Sequence, residues 1–584
     1  MRNSLTSIAI LFVISLVAAG ISAFDYMPLQ EIQPGMKCYA YSSFSPNTLE
    51  KMDVEIIGVV EGLTRDNDYI LARVSSPEVQ RGGISSGMSG SPVYYEDKLV
   101  GAMSMAFMYA SEPICGITPI ETMNRLIEFA AAPGRSSAQR RPRQDLQKKI
   151  ETTMSPGLKP IGLSLEINGI TDFNDTFPDT FFHPFNTSVH SLQGRSGKKD
   201  NSVIPEIVPG CSVGVGLVSG DVSIMAYGTV TDVREKQILA FGHSMFGLGE
   251  CCLPLHASEV VSVVPTQYLS FKIANSGPLV GAVTFDAESG ILAERGKEPP
   301  VIPVAISIEG LTPQPLTYQI NVVDHEYLTT TMIVQSLTGL INNLGGLQGD
   351  LSLYLELSAA LTNGQSLHLV DCYGAVSLLR QAIYNSLKTI ETIHHNPLEP
   401  ITFQSIDIVC RLAETTRLAA LDTINMVKRR YHPGETIRVQ LSFHGDRMDA
   451  FSKIVNLPIP PTCVPGKYIL KILDADFYAR DIAARQLPAH RYSSFEKWFD
   501  TLSDRISGNQ LKMMLVAGGK DIQTQDAVLP SAPPVLQGLL AMPGLDHQVV
   551  GSARILSSET LTLDVQVVGG GQLPVYIDIL PEKN

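Results

Sequence analysis

The chain reads as a mainly β protein of several domains, and three observations lead there. Its 584 residues exceed what one core can hold, and a length prior suggests about three or four domains. Hydrophobic residues at 44% against 17% charged describe a folded chain. The 47 Gly and 37 Pro against a single Trp suit short strands punctuated by turns. The net charge of −14, from 44 basic and 58 acidic residues, argues against a general nucleic-acid binder.

At the N-terminus Arg2 precedes an apolar run from Ile8 to Ala19, and then Gly20-Ile21-Ser22-Ala23. A basic start, a short apolar stretch and small residues make a secretory signal peptide over 1–23, cleaved after Gly20 or Ala23. An uncleaved anchor is the alternative, although the run is short for a span. No later segment reaches ~18 apolar residues without interruption. The expected location is therefore secreted or periplasmic, without stable membrane insertion of the mature chain. Eight cysteines in an oxidising compartment permit disulfides, but their irregular spacing assigns no pairing. No zinc-ligand spacing is present, so neither a metal nor another cofactor is implied. His394-His395 falls in a polar turn and reads as exposed.

Strands are expected over 52–60 and 68–74, then over 93–95 and 99–107 about a turn at Glu96-Asp97-Lys98. Thr118-Pro119 with Glu121 reads as the cap of a short helix. Residues 24–130 thus form one β unit. Residues 131–149, small, polar and basic, read as an exposed linker. In a second unit, 150–310, residues 173–203 read as loop carrying His183 and His190. Strands follow at 212–218, 227–233 and 237–244. Alternating strands over 311–480 suggest β-sandwich-like modules, with a short helix at 336–343. A helical and Gly/Pro-rich connector spans 481–545, its helix placed over 494–514, before a last β segment at 546–584.

Chemistry concentrates in Gly87-Met88-Ser89-Gly90-Ser91-Pro92. Small residues around a serine let the backbone fold tightly, so that the N–H groups of Gly87 and Ser89 can meet at one oxyanion position. An ordinary turn has the same composition, and a lone hydroxyl is a poor nucleophile without a base. His243 is the candidate base. It follows Ala240-Phe241-Gly242, where an apolar strand ends, and a strand end holds a side chain firmly at a cleft.

The stretch Arg81 to Pro92 with Leu99-Val100-Gly101-Ala102, taken with Ala240-Phe241-Gly242-His243-Ser244, resembles the SpoIVB-type serine peptidase family. The resemblance extends over roughly residues 30 to 130 and 205 to 310. It implies that Ser89 is the nucleophile, Ser91 a turn residue and His243 the base. It also implies a two-half chymotrypsin-like β-barrel core, here in permuted order with the serine half first; the strand pattern adds the β-sandwich-like modules and a few short helices after it. In the sporulation peptidase the histidine precedes the serine; here Ser89 comes first. The family's acid lies just before the serine box, where this chain has Val74-Ser75-Ser76-Pro77. Asp286, ending a strand in the histidine half, is the candidate third member, and Asp68 the lesser one. Asp68 stands at the far end of its strand, ~20 Å from where that strand closes. Asp286 could equally be a turn former before Ser289-Gly290.

These residues imply a serine endopeptidase acting on protein or peptide substrates. The alternatives are a degenerate peptidase fold serving as an envelope binding or scaffolding module, and self-cleavage alone in the linker around Arg135 to Arg143.

Overall fold

Alternation builds the first barrel. In β2 (Thr48–Val60) Met52, Val54 and Ile56 turn inward while Asp53 and Glu55 turn out, and in β3 (Tyr69–Ser75) Ile70, Ala72 and Val74 do the same. The computed structural model describes residues 26–578, less 47, 63–67, 108–109, 132–157, 171–187, 193–205, 267–269, 346–350, 446–447, 485, 487, 518–520, 524–527, 530–532, 534, 536–549 and 553. The segment read as a signal peptide, the expected linker from residue 132 onward and His183 therefore lie outside the described residues.

With β1 (Lys37–Ser45), β4 (Pro92–Tyr95), β5 (Lys98–Phe107) and β6 (Ile114–Pro119), these strands pair in the ring β1-β2-β3-β6-β5-β4, and β4 returns to β1. Every pairing is antiparallel, so the sheet closes on itself without a free edge. The expected β4–β5 hairpin forms, with Glu96 and Asp97 at φ 47° and 66° supplying the left-handed pair that a two-residue turn needs. Between β3 and β4 lies α1 (Pro77–Gly82), whose first turn is capped when the Ser76 hydroxyl accepts from Val79 N at 3.2 Å.

The chain next passes through β7 (Leu158–Pro160), which joins β5, then β8 (Ser164–Asn168) and β9 (Ser188–Leu192). Part of the stretch expected as loop is thus strand, and His190 sits in β9 beside Glu166 of β8. A second ring follows: β10 (Ser212–Gly220), β11 (Ser223–Arg234), β12 (Gln237–Ala240), β13 (Gly249–Val264), β14 (Phe271–Ala287) and β15 (Gly290–Arg295). Its order is β10-β11-β12-β15-β14-β13 and back to β10, all antiparallel, the same path as in the first barrel. The protein is mainly β and carries two closed six-stranded barrels, the serine half first.

Between the barrels runs α2 (Ile120–Ala131), which packs Ile120, Met123 and Leu126 against Leu99 and Ala102 of one and Leu239 and Leu292 of the other. Thr118 is not its cap. It belongs to β6, and its hydroxyl donates to Gly242 O at 2.6 Å, across to the second barrel.

Strands between 311 and 480 divide between two bodies. Those up to Ala413 extend the second barrel's sheet through β16 (Val301–Glu309), β17 (Leu316–Val323), β18 (Leu351–Leu361), β19 (Ser366–Val376) and β20 (Phe403–Ala413). Helices α3 (Thr329–Asn342) and α4 (Leu379–His394) add Leu337, Ile341, Ile383 and Ile390 to the same core. His394 is not exposed: it ends α4 with a buried side chain whose Nε2 meets Asp324 Oδ1 at 2.9 Å. From Leu418 onward two sheets enclose Val439, Leu441, Leu470, Ile472, Leu511 and Val575, forming a sandwich completed by the last strand, Gly571–Ile577. Of two short helices there, α5 (Ala475–Ala483) and α6 (Phe495–Leu502), the second ends well before the 514 expected. Residues Gln510–Ala517 are instead an inner strand of the sandwich. Its run Leu511 to Val516 is almost wholly buried, which erases the period that separates strand from helix.

Candidate active site

The serine box occupies the connection from the third to the fourth strand of the first barrel. Met88 anchors it, buried in that barrel's core with its Sδ accepting from Ser85 N at 3.3 Å. Gly87 and Gly90 take φ of +89° and +95°, which an L side chain rarely adopts. Gly90 has a second reason to be glycine: a Cβ there would stand 1.9 Å from Thr229 O and 2.5 Å from Phe241 N. The second barrel lies directly against the box. Thr229 N donates to Ser89 O at 2.8 Å, and the Thr229 and Thr231 hydroxyls donate to Gly87 O at 2.9 Å and Gly90 O at 2.8 Å.

His243 occupies the matching third-to-fourth connection of the second barrel. Gly242 N donates to Ala240 O at 2.9 Å, closing a tight turn about Phe241, whose φ of 71° is unusual for an aromatic residue. That strained turn delivers the imidazole to the interface. His243 Nδ1 lies 2.8 Å from Ser244 O. A carbonyl only accepts, so Nδ1 carries the proton and Nε2 keeps its lone pair. Burial pushes the imidazole down to about 4, against smaller upward effects from the backbones of Ser244 and Ile161. It is therefore a neutral base near pH 7.

Ser89 and His243 are both buried, and Ser89 Oγ and His243 Nε2 each lack a hydrogen-bond partner among the described residues. No hydrogen bond joins the two. The Gly87 and Ser89 N–H groups likewise donate to no other described residue. The two candidate catalytic atoms and the two candidate oxyanion donors are thus left uncommitted beside the face where the barrels pack.

Asp286 lies near the end of β14, the fifth strand of the second barrel, just before the turn to β15, and is fully buried. Its carboxylate does not contact the imidazole. Oδ1 accepts from Met245 N at 2.7 Å, and Oδ2 from Phe246 N at 2.7 Å and Leu248 N at 3.3 Å. Burial pushes it up to about 6 despite these donors. Asp286 therefore fixes the loop after His243, including the Ser244 peptide whose carbonyl orients the ring, and acts on the histidine one step removed. Asp68 lies in the β2–β3 turn, where its Oδ1 accepts from Gly62 N at 2.8 Å, and it is brought to neither Ser89 nor His243.

All eight cysteines are free thiols, and burial raises Cys251 and Cys252 above the usual thiol range, which disfavours the thiolate. One group that the sequence did not single out is also present: Lys272, buried in β14 directly beneath the box.

Two antiparallel six-stranded barrels, with a glycine-framed serine and a histidine in equivalent connections, make a chymotrypsin-like double-barrel fold. Residues 25–123 match the SpoIVB peptidase S55 family, a stretch that contains the whole first barrel and Ser89 and stops short of His243 and Asp286. Neither the curated proteins nor the solved structures give a match to this chain.

Proposed function

We propose that the protein is a serine endopeptidase of the SpoIVB type that cleaves protein or peptide substrates by acyl transfer. The observation that carries this reading is that Ser89 and His243 stand in equivalent turns of two like barrels packed against each other, each with its side-chain atom uncommitted. Ser89 Oγ attacks the scissile carbonyl while His243 Nε2 takes the hydroxyl proton. The C–N bond then breaks as the imidazolium returns that proton to the leaving amine. Gly87 and Ser89 N–H groups receive the negative charge of the tetrahedral oxygen. The Ser244 carbonyl takes the place that a carboxylate fills in a triad, so the imidazolium is stabilised by a neutral acceptor and turnover is slower. A location outside the cytoplasm is part of the proposal and rests on residues 1–23. No described helix is long and apolar enough to cross a membrane.

A second reading, a silent peptidase fold that binds envelope partners, is favoured by one observation. Both reactive atoms are sealed from solvent and are not hydrogen-bonded to each other. Labelling with a fluorophosphonate probe separates the two. Wild type should label, and Ser89→Ala and His243→Ala should each lose at least about 10³-fold in rate. Equal labelling of wild type and Ser89→Ala would remove Ser89 as nucleophile, and an unreactive wild type would leave the silent fold.

A further inference from the structure

Lys272 is a lysine with almost no exposed surface, and no carboxylate lies within ion-pair distance of it among the described residues. Burying an ammonium without a counter-ion is costly, so such a residue needs a reason. Its surroundings supply one. The Lys272 stem passes 3.3 Å from where a Cβ on Gly87 would be. Its Nζ donates to Ser42 Oγ at 2.8 Å and reaches Thr229 Oγ1 at 3.5 Å.

The direction of each hydrogen bond follows from what each atom can do. Ser91 Oγ lies 2.7 Å from Met88 O, which only accepts, so Ser91 donates there. Ser42 Oγ, 3.0 Å from Ser91 Oγ, then donates to Ser91 and accepts from the ammonium. A directed chain results: Lys272 Nζ to Ser42, Ser42 to Ser91, Ser91 to Met88 O. The backbone of Lys272 makes a second arm, its N–H donating to Ser86 O at 3.1 Å.

Those two carbonyls belong to two particular peptide units. The Met88 carbonyl shares its plane with Ser89 N–H, and the Ser86 carbonyl shares its plane with Gly87 N–H. In a trans peptide the N–H points opposite to the C=O. Holding each carbonyl therefore fixes the direction of the N–H in the same plane: Gly87 N–H points away from the Lys272 backbone, and Ser89 N–H points away from Ser91. We propose that Lys272 is the positioning residue of the oxyanion hole, gripping both of its peptide units at once, one through its backbone and one through Ser42 and Ser91. The assignment rests on Ser89 being the nucleophile. A protonated lysine also polarises the chain toward the Ser89 N–H in a site screened from water. Burial brings this lysine down to about 7, so its charge is lost within the neutral range. The groups facing the ammonium are Ser42 and Phe44 of β1, Thr229 of β11, Cys211 ahead of β10 and Glu50 of β2.

Two measurements on the full chain test this. Amide hydrogen exchange over 84–91 should quicken at least about 10-fold in Lys272→Met, and also in Ser42→Ala, which cuts only the side-chain arm and spares the packing. Fluorophosphonate labelling near pH 6 should fall about 10²-fold in Lys272→Met and about 10-fold in Ser42→Ala, in maximal rate rather than in probe affinity. The wild-type rate should also decline as pH rises through about 7, a limb that Lys272→Met should lack. Unchanged exchange over 84–91 in both variants overturns the positioning role whatever Ser89 does. A wild type that labels, with both variants matching it in rate and pH profile, overturns the role while leaving the nucleophile in place. A wild type that does not label removes the nucleophile, and the exchange measurement then judges the grip on the turn alone.

Discussion

The two barrels follow one path, 1-2-3-6-5-4, and each places its candidate catalytic residue between the third and fourth strands. They differ in how that connection is built. In the first barrel it is a capped helix followed by a box of Gly, Ser and Met, without a charged side chain from Gly82 to Tyr95. In the second it is a tight turn at Phe241-Gly242, and the charges sit behind it on one strand, Lys272 near the start of β14 and Asp286 near its end. One barrel thus shapes backbone, while the other supplies charge and holds both turns in place. The family match covers the first barrel and not the second. The backbone-shaping half carries a local signature, whereas the charged half depends on contacts between residues far apart in sequence.

Gly90 offers the largest break in this arrangement. Both Gly87 and Gly90 have positive φ, but only Gly90 meets second-barrel backbone at contact distance. At Gly87 the nearest atoms are the pliable Lys272 stem. Gly90→Ala should cost about 4 kcal/mol or more, and Gly87→Ala about 1–2 kcal/mol, in urea unfolding followed by tryptophan-independent circular dichroism. Similar costs at the two positions would mean that the second barrel does not press on the box.

The buried charges of the second barrel give the next effect, through pH. The folded-state pKa of His243 is lowered from 6.5 to about 4, so between those values the unfolded chain binds the extra proton and stability falls as pH falls. The folded-state pKa of Asp286 is raised from 3.8 to about 6, so across that window the folded chain binds the extra proton and stability rises as pH falls. Each slope amounts to something on the order of 3 kcal/mol over its window, and the two oppose each other. Wild type should therefore be nearly level between pH 4 and 6. His243→Gln, which removes one slope, should gain stability on acidification over the same range. A wild type that loses several kcal/mol there would show that Asp286 is ionised throughout.

Much of the first barrel was legible because its determinants are local. The alternation of Met52, Val54 and Ile56, the turn at Glu96-Asp97 and the glycines around Ser89 each act within a few residues. The α1 helix carries a local signal too, Ser76-Pro77 followed by Glu78. The position of Asp286 near a strand end follows from its local pattern, but its partners are backbone N–H groups, and backbone carries no sequence signature. Lys272 in an alternating strand looks like any solvent-facing lysine. Only the closing of one barrel against the other buries it. His394 likewise looked exposed because Asp324, its partner, lies 70 residues away.

Thr118 gives the smallest effect and separates local from long-range reasoning at a single residue. As a helix cap its hydroxyl would serve α2; as observed, it donates to Gly242 O at 2.6 Å and lies 2.7 Å from Ser104 Oγ. A carbonyl accepts and cannot donate, so the single Thr118 proton goes to Gly242 and Ser104 donates to Thr118. Thr118→Val keeps the shape and β propensity and removes that bond, at a cost of about 1–2 kcal/mol because the Gly242 carbonyl is left buried without it. Both roles predict a loss of this size, so stability alone decides nothing. Hydrogen exchange does. If Thr118 capped α2, amides at its first turn would quicken; as a stitch between barrels, its loss should quicken exchange in the 240–245 turn and leave α2 protected. Thr118→Ser, which keeps the hydroxyl, should restore the wild-type pattern, and failure to do so would point to packing of the methyl group rather than to the bond.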